Sequence, residues 1–167
     1  DVSFTHLYNA MSDNNHRNPG VLSAALNNSK FAEIICDLNH VSEEAILIAK
    51  KCIPDLYAIT DSIAASGMKD GSYKFADVKI EKKNNKVYLN GTNTLAGSVV
   101  NMHDTFLNLL KMKISIQDAV RMTSYSASKF LKKEDIGVID GGKKANFLIL
   151  DHDFNIKSIY LNGKLIN

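Results

Sequence analysis

Cysteine is scarce: only Cys36 and Cys52 occur in 167 residues. They fall in different predicted elements, and no CxxC pair exists. This argues against a disulfide framework and suits free, buried thiols in a reducing cytosol, so the expected location is cytoplasmic. Long apolar runs are missing too. None approaches the ~20 residues that a membrane-spanning helix requires, and no signal peptide is visible, so no membrane partner is expected. Charge of one sign is also lacking, with a formal net charge of +2. The densest basic stretches, Lys82-Lys83, Lys132-Lys133 and Lys143-Lys144, are short and suit solvated turns, so nucleic acid is not an expected partner. There is no GxGxxG, Walker A, HExxH or GxSxG pattern, and no serine sits in a nucleophile-elbow context. Internal repeats and low-complexity segments are absent. The chain has no initiator Met and opens on Asp1-Val2-Ser3-Phe4-Thr5, which reads as a strand already in progress. An upstream portion is therefore expected.

What is present is ordinary for one globular domain with a core: 45% hydrophobic and 23% charged residues. Val2 to Thr5 fits the end of a strand. Leu7 to Gly20 is a polar, turn-rich loop with Asn14 to Gly20 at its tip, and long structured loops in compact domains tend to be functional. Val21 to Leu26 suits a short helix. Ala32 to Cys36 is a buried-strand candidate ending at Asp37. Ser42 looks like an N-cap for a helix running to about Ile53, with Glu43 and Glu44 favouring its positive end. Ile46, Ala49 and Ile53 share one face of it. Pro54-Asp55 breaks this helix, and Leu56 to Thr60 is another apolar strand, ending at Asp61. The βα alternation predicts a parallel sheet with helices packed outside. From Tyr73 to Leu89 the pattern changes to a β-hairpin around Asn84-Asn85. A helix is expected over about Val99 to Met112, with Met102, Phe106, Leu109 and Leu110 as its apolar stripe. Ser115-Ile116-Gln117-Asp118 is a capping-box pattern opening a helix to about Tyr125, and Ser126 to Leu131 reads as a further short helix. Ala145 to Leu150 and Lys157 to Leu161 are strands, with an Asn162-Gly163 turn after them.

Five groups of residues are candidates for chemistry, and each has a plain structural alternative. His6 follows a strand directly, at the end of a parallel sheet where ligands gather. It is either a metal ligand or a histidine bonded to its own loop. Asp61 ends an apolar strand, where an unpaired carboxylate would be desolvated. It is either poised near a metal or metal-bound water to take a proton, or it caps the next loop. His40, with Asp37 before it, is a ligand-facing residue or an idle loop histidine. Arg17, beside His16 in the long loop, is a phosphate or carboxylate fork or an exposed side chain. Leu95, Ala96, Gly97 and Ser98 precede a helix and either let a ligand approach backbone N–H groups or simply pack tightly.

Taken in order, Thr5-His6-Leu7-Tyr8-Asn9-Ala10-Met11, Arg17-Asn18-Pro19-Gly20, Asp37-Leu38-Asn39-His40-Val41, Ile59-Thr60-Asp61, Thr94 to Ser98 and Gly141 to Phe147 are more specific than any one alone. Over nearly all 167 residues the chain resembles the second half of the bacterial N-acetylglucosamine-6-phosphate deacetylase family of amidohydrolases. The resemblance implies an α/β fold: the C-terminal portion of a metal-dependent (β/α)8 TIM barrel over residues 1–134, with an inserted β-hairpin at about 73–90. Residues 135–167 would be strands of a small β-sandwich. It implies His6 as metal ligand and Asp61 as catalytic acid/base. Asn9 and Ala10 would bind substrate, Arg17 and His40 would hold the sugar phosphate, and Leu95, Ala96, Gly97 and Ser98 would line the pocket. Arg17 would serve the neighbouring subunit of a homodimer. The implied cofactor is a divalent metal ion, zinc or iron, one or two in number. The implied partners are a phosphorylated amino-sugar substrate and the missing N-terminal half of the barrel. Two departures stand out: Asn18 occupies a position where the family usually has Glu, and the family's other metal ligands have no match in this chain. A full barrel takes ~250 residues, so these 167 are expected to be inactive alone. The alternatives are an inactive amidohydrolase fragment that acts as a folded or interaction module, and an amidohydrolase for a different acylated amino sugar or a cyclic amide.

Overall fold

Two apolar strands dictate the centre of the molecule. The computed structural model describes residues 2–166. Asp1 of the expected opening strand, like Asn167, lies outside the described residues. β1 (Ser3–Phe4), β2 (Phe31–Ile35) and β3 (Asp55–Ile59) form a three-stranded sheet, parallel throughout, in the order β1-β2-β3. Its register sets Glu33 opposite Tyr57 and Ile35 opposite Ile59. Strands buried on both faces read as near-continuous apolar runs, which is why β2 and β3 are legible from sequence. α1 (Val21–Asn28) and α2 (Glu43–Cys52) are the crossovers. Ser42 caps α2 by accepting from the Ala45 N–H, and Ile46, Ala49 and Ile53 are buried, as the pattern predicts. One core joins this face to Ala32, Ile34, Leu56 and Ala58 of the sheet and to Phe106 and Leu109 beyond it.

The expected hairpin is a three-stranded meander. β4 (Gly71–Phe75), β5 (Val78–Lys83) and β6 (Lys86–Leu89) pair antiparallel in that order. Asn84 and Asn85 both take positive φ, 51° and 59°, which suits the tight turn between β5 and β6. α3 begins later than expected, at Met102–Lys111, because Asn101 is its cap: the Asp104 N–H donates to Asn101 Oδ1 at 2.8 Å. Met102 is exposed and Thr105 takes its place on the buried face. The two helices expected after Ser115 are one rod. α4 (Ile116–Val120) runs through a π-helical segment, Arg121–Tyr125, into α5 (Ser126–Phe130), with right-handed helical backbone at both joints.

That rod clamps the amino end of β3. Asp55 is buried, with Lys129 Nζ at 2.7 Å and Arg121 Nη2 at 3.5 Å. Phe130 of α5 packs on Phe31 and Tyr57, at centroid separations of 5.4 and 5.7 Å. The last sheet, β7 (Phe147–Leu150), β8 (Ile156–Leu161) and β9 (Lys164–Leu165), is antiparallel. It touches α3 through Phe154, whose ring meets Phe106 and whose carbonyl lies 2.8 Å from His103 Nε2. Among the described residues no helix is long and apolar enough to cross a membrane.

Candidate active site

A parallel sheet delivers the carboxyl ends of all its strands to one edge. Here each of the three ends is followed by a non-glycine residue of left-handed backbone: His6 (φ 29°) after β1, Leu38 (φ 61°) after β2 and Asp61 (φ 47°) after β3. Tyr8 and Ala10 add two more in the first loop, at φ 77° and 56°. Such conformations cost about 1–3 kcal/mol each and concentrate at functional sites. The surroundings must therefore enforce them.

In the first loop the enforcement is visible. The Asn9 N–H donates to the His6 carbonyl, and Asn9 Nδ2 reaches the carbonyls of His6 and Leu7 at 3.4 and 3.3 Å. His6 Nδ1 lies 3.1 Å from the Asn9 carbonyl. That contact fixes a ring with Nδ1–H inward and leaves Nε2 as the atom offered to a ligand. Glu33 grips both neighbours of His6. Its carboxylate accepts from Thr5 Oγ1 at 2.6 Å, and its carbonyl accepts from the Leu7 N–H at 2.7 Å. The other carboxylate oxygen accepts from Tyr57 Oη at 2.9 Å. Burial and then this bond push the Tyr57 hydroxyl up to about 12, so it stays a donor. In sequence Glu33 shows only as the single polar residue of an apolar strand.

At the third strand end Asp61 is exposed. The expected desolvation does not occur within this chain, because β3 is an outer strand of its sheet and nothing among the described residues covers the Asp61 carboxylate. Its backbone is nonetheless held. The Ser98 N–H donates to the Asp61 carbonyl at 2.8 Å, Ser98 Oγ donates to the Thr60 carbonyl, and the Ile63 N–H donates to the Ser98 carbonyl. Leu95 to Ser98 thus run between β6, where the Ala96 N–H meets the Val87 carbonyl, and the Asp61 turn. Gly97 has φ +68°, and a Cβ on it would stand 2.5 Å from Ile63 Cγ2 and 3.1 Å from the Asp61 carbonyl oxygen. Gly97 and Ser98 therefore lie directly against the backbone of Asp61.

His40 sits in the second loop with Nδ1 2.8 Å from Asp37 Oδ2. Both side chains are over nine-tenths enclosed. Burial works against the Asp37 charge, but bonds from the His40 ring and from the His40 and Asn39 N–H groups hold its pKa below the ordinary carboxylate value. Arg17 lies apart, exposed on a loop pinched by the Asn14–Pro19 bridge, with its N–H bonded to Asn15 Oδ1. No ion pair or hydrogen bond joins its guanidinium to another described residue.

No cluster of three or more His, Cys, Asp or Glu able to hold a metal ion occurs among the described residues. A catalytic zinc needs three protein ligands. His6 is a fit donor, but the described residues do not by themselves make a metal site.

The same fold is found in known proteins. Residues 6–166 match the sequence profile of the amidohydrolase family. The N-acetylglucosamine-6-phosphate deacetylase of Vibrio furnissii is 32% identical over 165 residues, 96% of this chain and 41% of that protein. The N-acetylgalactosamine-6-phosphate deacetylase of Escherichia coli O157:H7 is 27% identical over 164 residues, 96% of this chain and 43% of that protein. The crystal structure of N-acetylglucosamine-6-phosphate deacetylase from Thermotoga maritima matches with a TM-score of 0.93 at 30% identity, over 99% of this chain and 46% of that one. The chain spans less than half the length of these relatives.

Proposed function

The chain belongs to the amidohydrolase family, and on that premise we propose that it is the carboxy-terminal part of an N-acetylglucosamine-6-phosphate deacetylase. The observation that carries the reading is the shared sheet edge: His6, with Nδ1 tied to its own loop, and Asp61 follow outer strands of one parallel sheet. In this reading residues 1–134 are part of the wall of a (β/α)8 barrel and residues 135–167 are strands of a small β-sandwich. The rest of the barrel, outside this chain, supplies the remaining ligands of a divalent metal, since His6 alone cannot hold one.

The reaction is hydrolysis of the acetamide. A water oxygen bonds to the acetyl carbon, the carbon–nitrogen bond breaks, and acetate and glucosamine 6-phosphate leave. Asp61 takes the proton from the water and passes it to the departing nitrogen. Asn9 and the Ala10 backbone orient the sugar, and Leu95, Ala96, Gly97 and Ser98 wall the acetamide pocket. His40 binds the phosphate. Arg17, exposed on its loop, reaches the phosphate held by a second subunit. Binding energy from that remote phosphate orients the acetamide at the reacting end. The E. coli relative's name favours a second reading, in which the sugar is the galactosamine epimer.

The test is Asp61→Asn in the complete enzyme. Loss of general acid–base catalysis should lower kcat at least about 100-fold with KM nearly unchanged. Comparing the two epimeric sugar phosphates by kcat/KM decides between the sugars. Wild-type kcat in Asp61→Asn contradicts the assignment.

A further inference from the structure

The Asp37–Val41 loop after β2 divides labour between two oxygens of one carboxylate. Asp37 Oδ1 accepts the N–H groups of Asn39 and His40, each at 2.9 Å, and so shapes the turn. Oδ2 takes no part in that turn and faces His40 Nδ1 at 2.8 Å. The His40 and Asp37 side chains are 7% and 8% exposed. Among the described residues no hydrogen bond reaches His40 Nε2, and that nitrogen is not among the fully enclosed atoms left without a partner. It therefore has a path to the surface.

A neutral ring with its proton on Nδ1 offers a lone pair at Nε2, which repels an anion. To donate from Nε2 the ring must carry a second proton, and an enclosed cation needs a counter-charge close by. We propose that Asp37 is a positioning residue: Oδ2 holds the Nδ1–H of His40 and balances a second proton on the ring, making Nε2 a charged donor to a phosphate group. This rests on the reading of His40 as the phosphate-binding residue. The carboxylate's depressed pKa keeps the counter-charge in place at neutral pH. The ligand chemistry is a phosphate dianion, either the ester of an amino sugar or free phosphate.

Asp37→Asn isolates the charge. The amide oxygen can keep both turn-forming N–H bonds, while an NH2 group replaces Oδ2 and faces Nδ1 as a donor. The ring should then move its proton to Nε2 and stay neutral. The experiment is 15N NMR of the histidine rings in the complete enzyme, followed by titration with N-acetylglucosamine 6-phosphate, inorganic phosphate and N-acetylglucosamine. In the wild type His40 should be protonated on Nδ1, and phosphate ester should bring a second proton onto Nε2. In Asp37→Asn the tautomer should switch, with the backbone amide spectrum otherwise retained. Affinity for the phosphate ester should fall about 10- to 100-fold, as for a lost charged hydrogen bond. Affinity for N-acetylglucosamine should stay the same. Inorganic phosphate binding that falls in parallel assigns the site to phosphate alone; loss for the ester only assigns it to the sugar phosphate. A wild-type His40 protonated solely on Nε2, which needs no variant to observe, overturns the proposal. So does unchanged ester affinity in Asp37→Asn. His40→Gln separates the two readings: if it loses ester binding while Asp37→Asn does not, Asp37 has no such role and His40 keeps its own. If His40→Gln binds like the wild type, the phosphate reading of His40 falls with it.

Discussion

Lys129→Met should destabilise the protein more than Asp55→Asn, although each removes one end of the same ion pair. Asp55 is the enclosed partner, 4% exposed, while Lys129 and Arg121 are 38% and 49% exposed. Removing Lys129 leaves a buried carboxylate with one guanidinium at 3.5 Å. Stranding a buried charge costs 3–5 kcal/mol, and the remaining Arg121 holds the expected loss to about 3 kcal/mol. Asp55→Asn keeps the shape and strands nothing, because both cations can turn to water. The loss there is that of one charge-assisted bond to half-exposed partners, about 1 kcal/mol. Urea and thermal unfolding followed by circular dichroism at neutral pH measure both. At about 2–4 °C per kcal/mol for a chain of this size, the two melting points should differ by roughly 4–8 °C. Equal losses, or a larger loss in Asp55→Asn, would refute the view that this carboxylate is desolvated and that the α4–α5 rod is tied to β3 through it. The site depends on that tie: β3 carries Asp61 at its far end.

Gly97→Ala should cost about 2 kcal/mol from its left-handed φ and the clash with Ile63, and hydrogen exchange at the Ser98 N–H should rise sharply as the segment lifts off Asp61. Burial, followed by the Asp37 charge, pushes the Cys36 thiol up to about 12, whereas Cys52 is exposed. One thiol per native chain should therefore react with a disulfide reagent at pH 8, and two after unfolding. Because the pKa of Asp37 is lower in the folded state, its charge contributes stability above about pH 4, the unfolded carboxylate value, and that contribution is lost as pH falls through the folded value. Denaturation curves of the wild type and Asp37→Asn should converge as pH falls below about 4, with a constant gap contradicting the linkage.

The sheet and its crossovers were readable because their signals are local. Ala32 to Cys36 and Leu56 to Thr60 are apolar runs closed by acids, and Ser42 followed by Glu43 and Glu44 marks the start of a helix. β4 escaped because only Tyr73 of its five residues turns inward, while Phe75 is exposed, so no alternation of polarity marks it. Val99 and Val100 look helical by polarity but lie before the helix, since the cap at Asn101 fixes the start of α3. Neither the π-helical segment Arg121–Tyr125 nor the reach of Arg121 and Lys129 to Asp55, 66 and 74 residues away, has a local signal. For the site, the strand-end positions of His6 and Asp61 were legible. The state of Asp61 was not, because exposure depends on what lies beside β3 rather than on the string that ends in it. Glu33 was invisible as a grip on His6 for the same reason: its partners Thr5, Leu7 and Tyr57 lie on the two strands beside it or just beyond them.

The proposed incompleteness of the site is tested most directly by reconstitution. Acetate release from N-acetylglucosamine 6-phosphate and bound divalent metal are measured for the 167-residue chain alone and after co-expression with a barrel segment carrying the missing ligands. The chain alone should bind metal substoichiometrically and release no acetate above background. The completed protein should bind metal and turn over, with activity lost again in His6→Ala and Asp61→Asn. Activity of the chain alone would contradict a site completed from outside, and a completed, folded protein that binds metal yet releases no acetate would contradict the deacetylase itself.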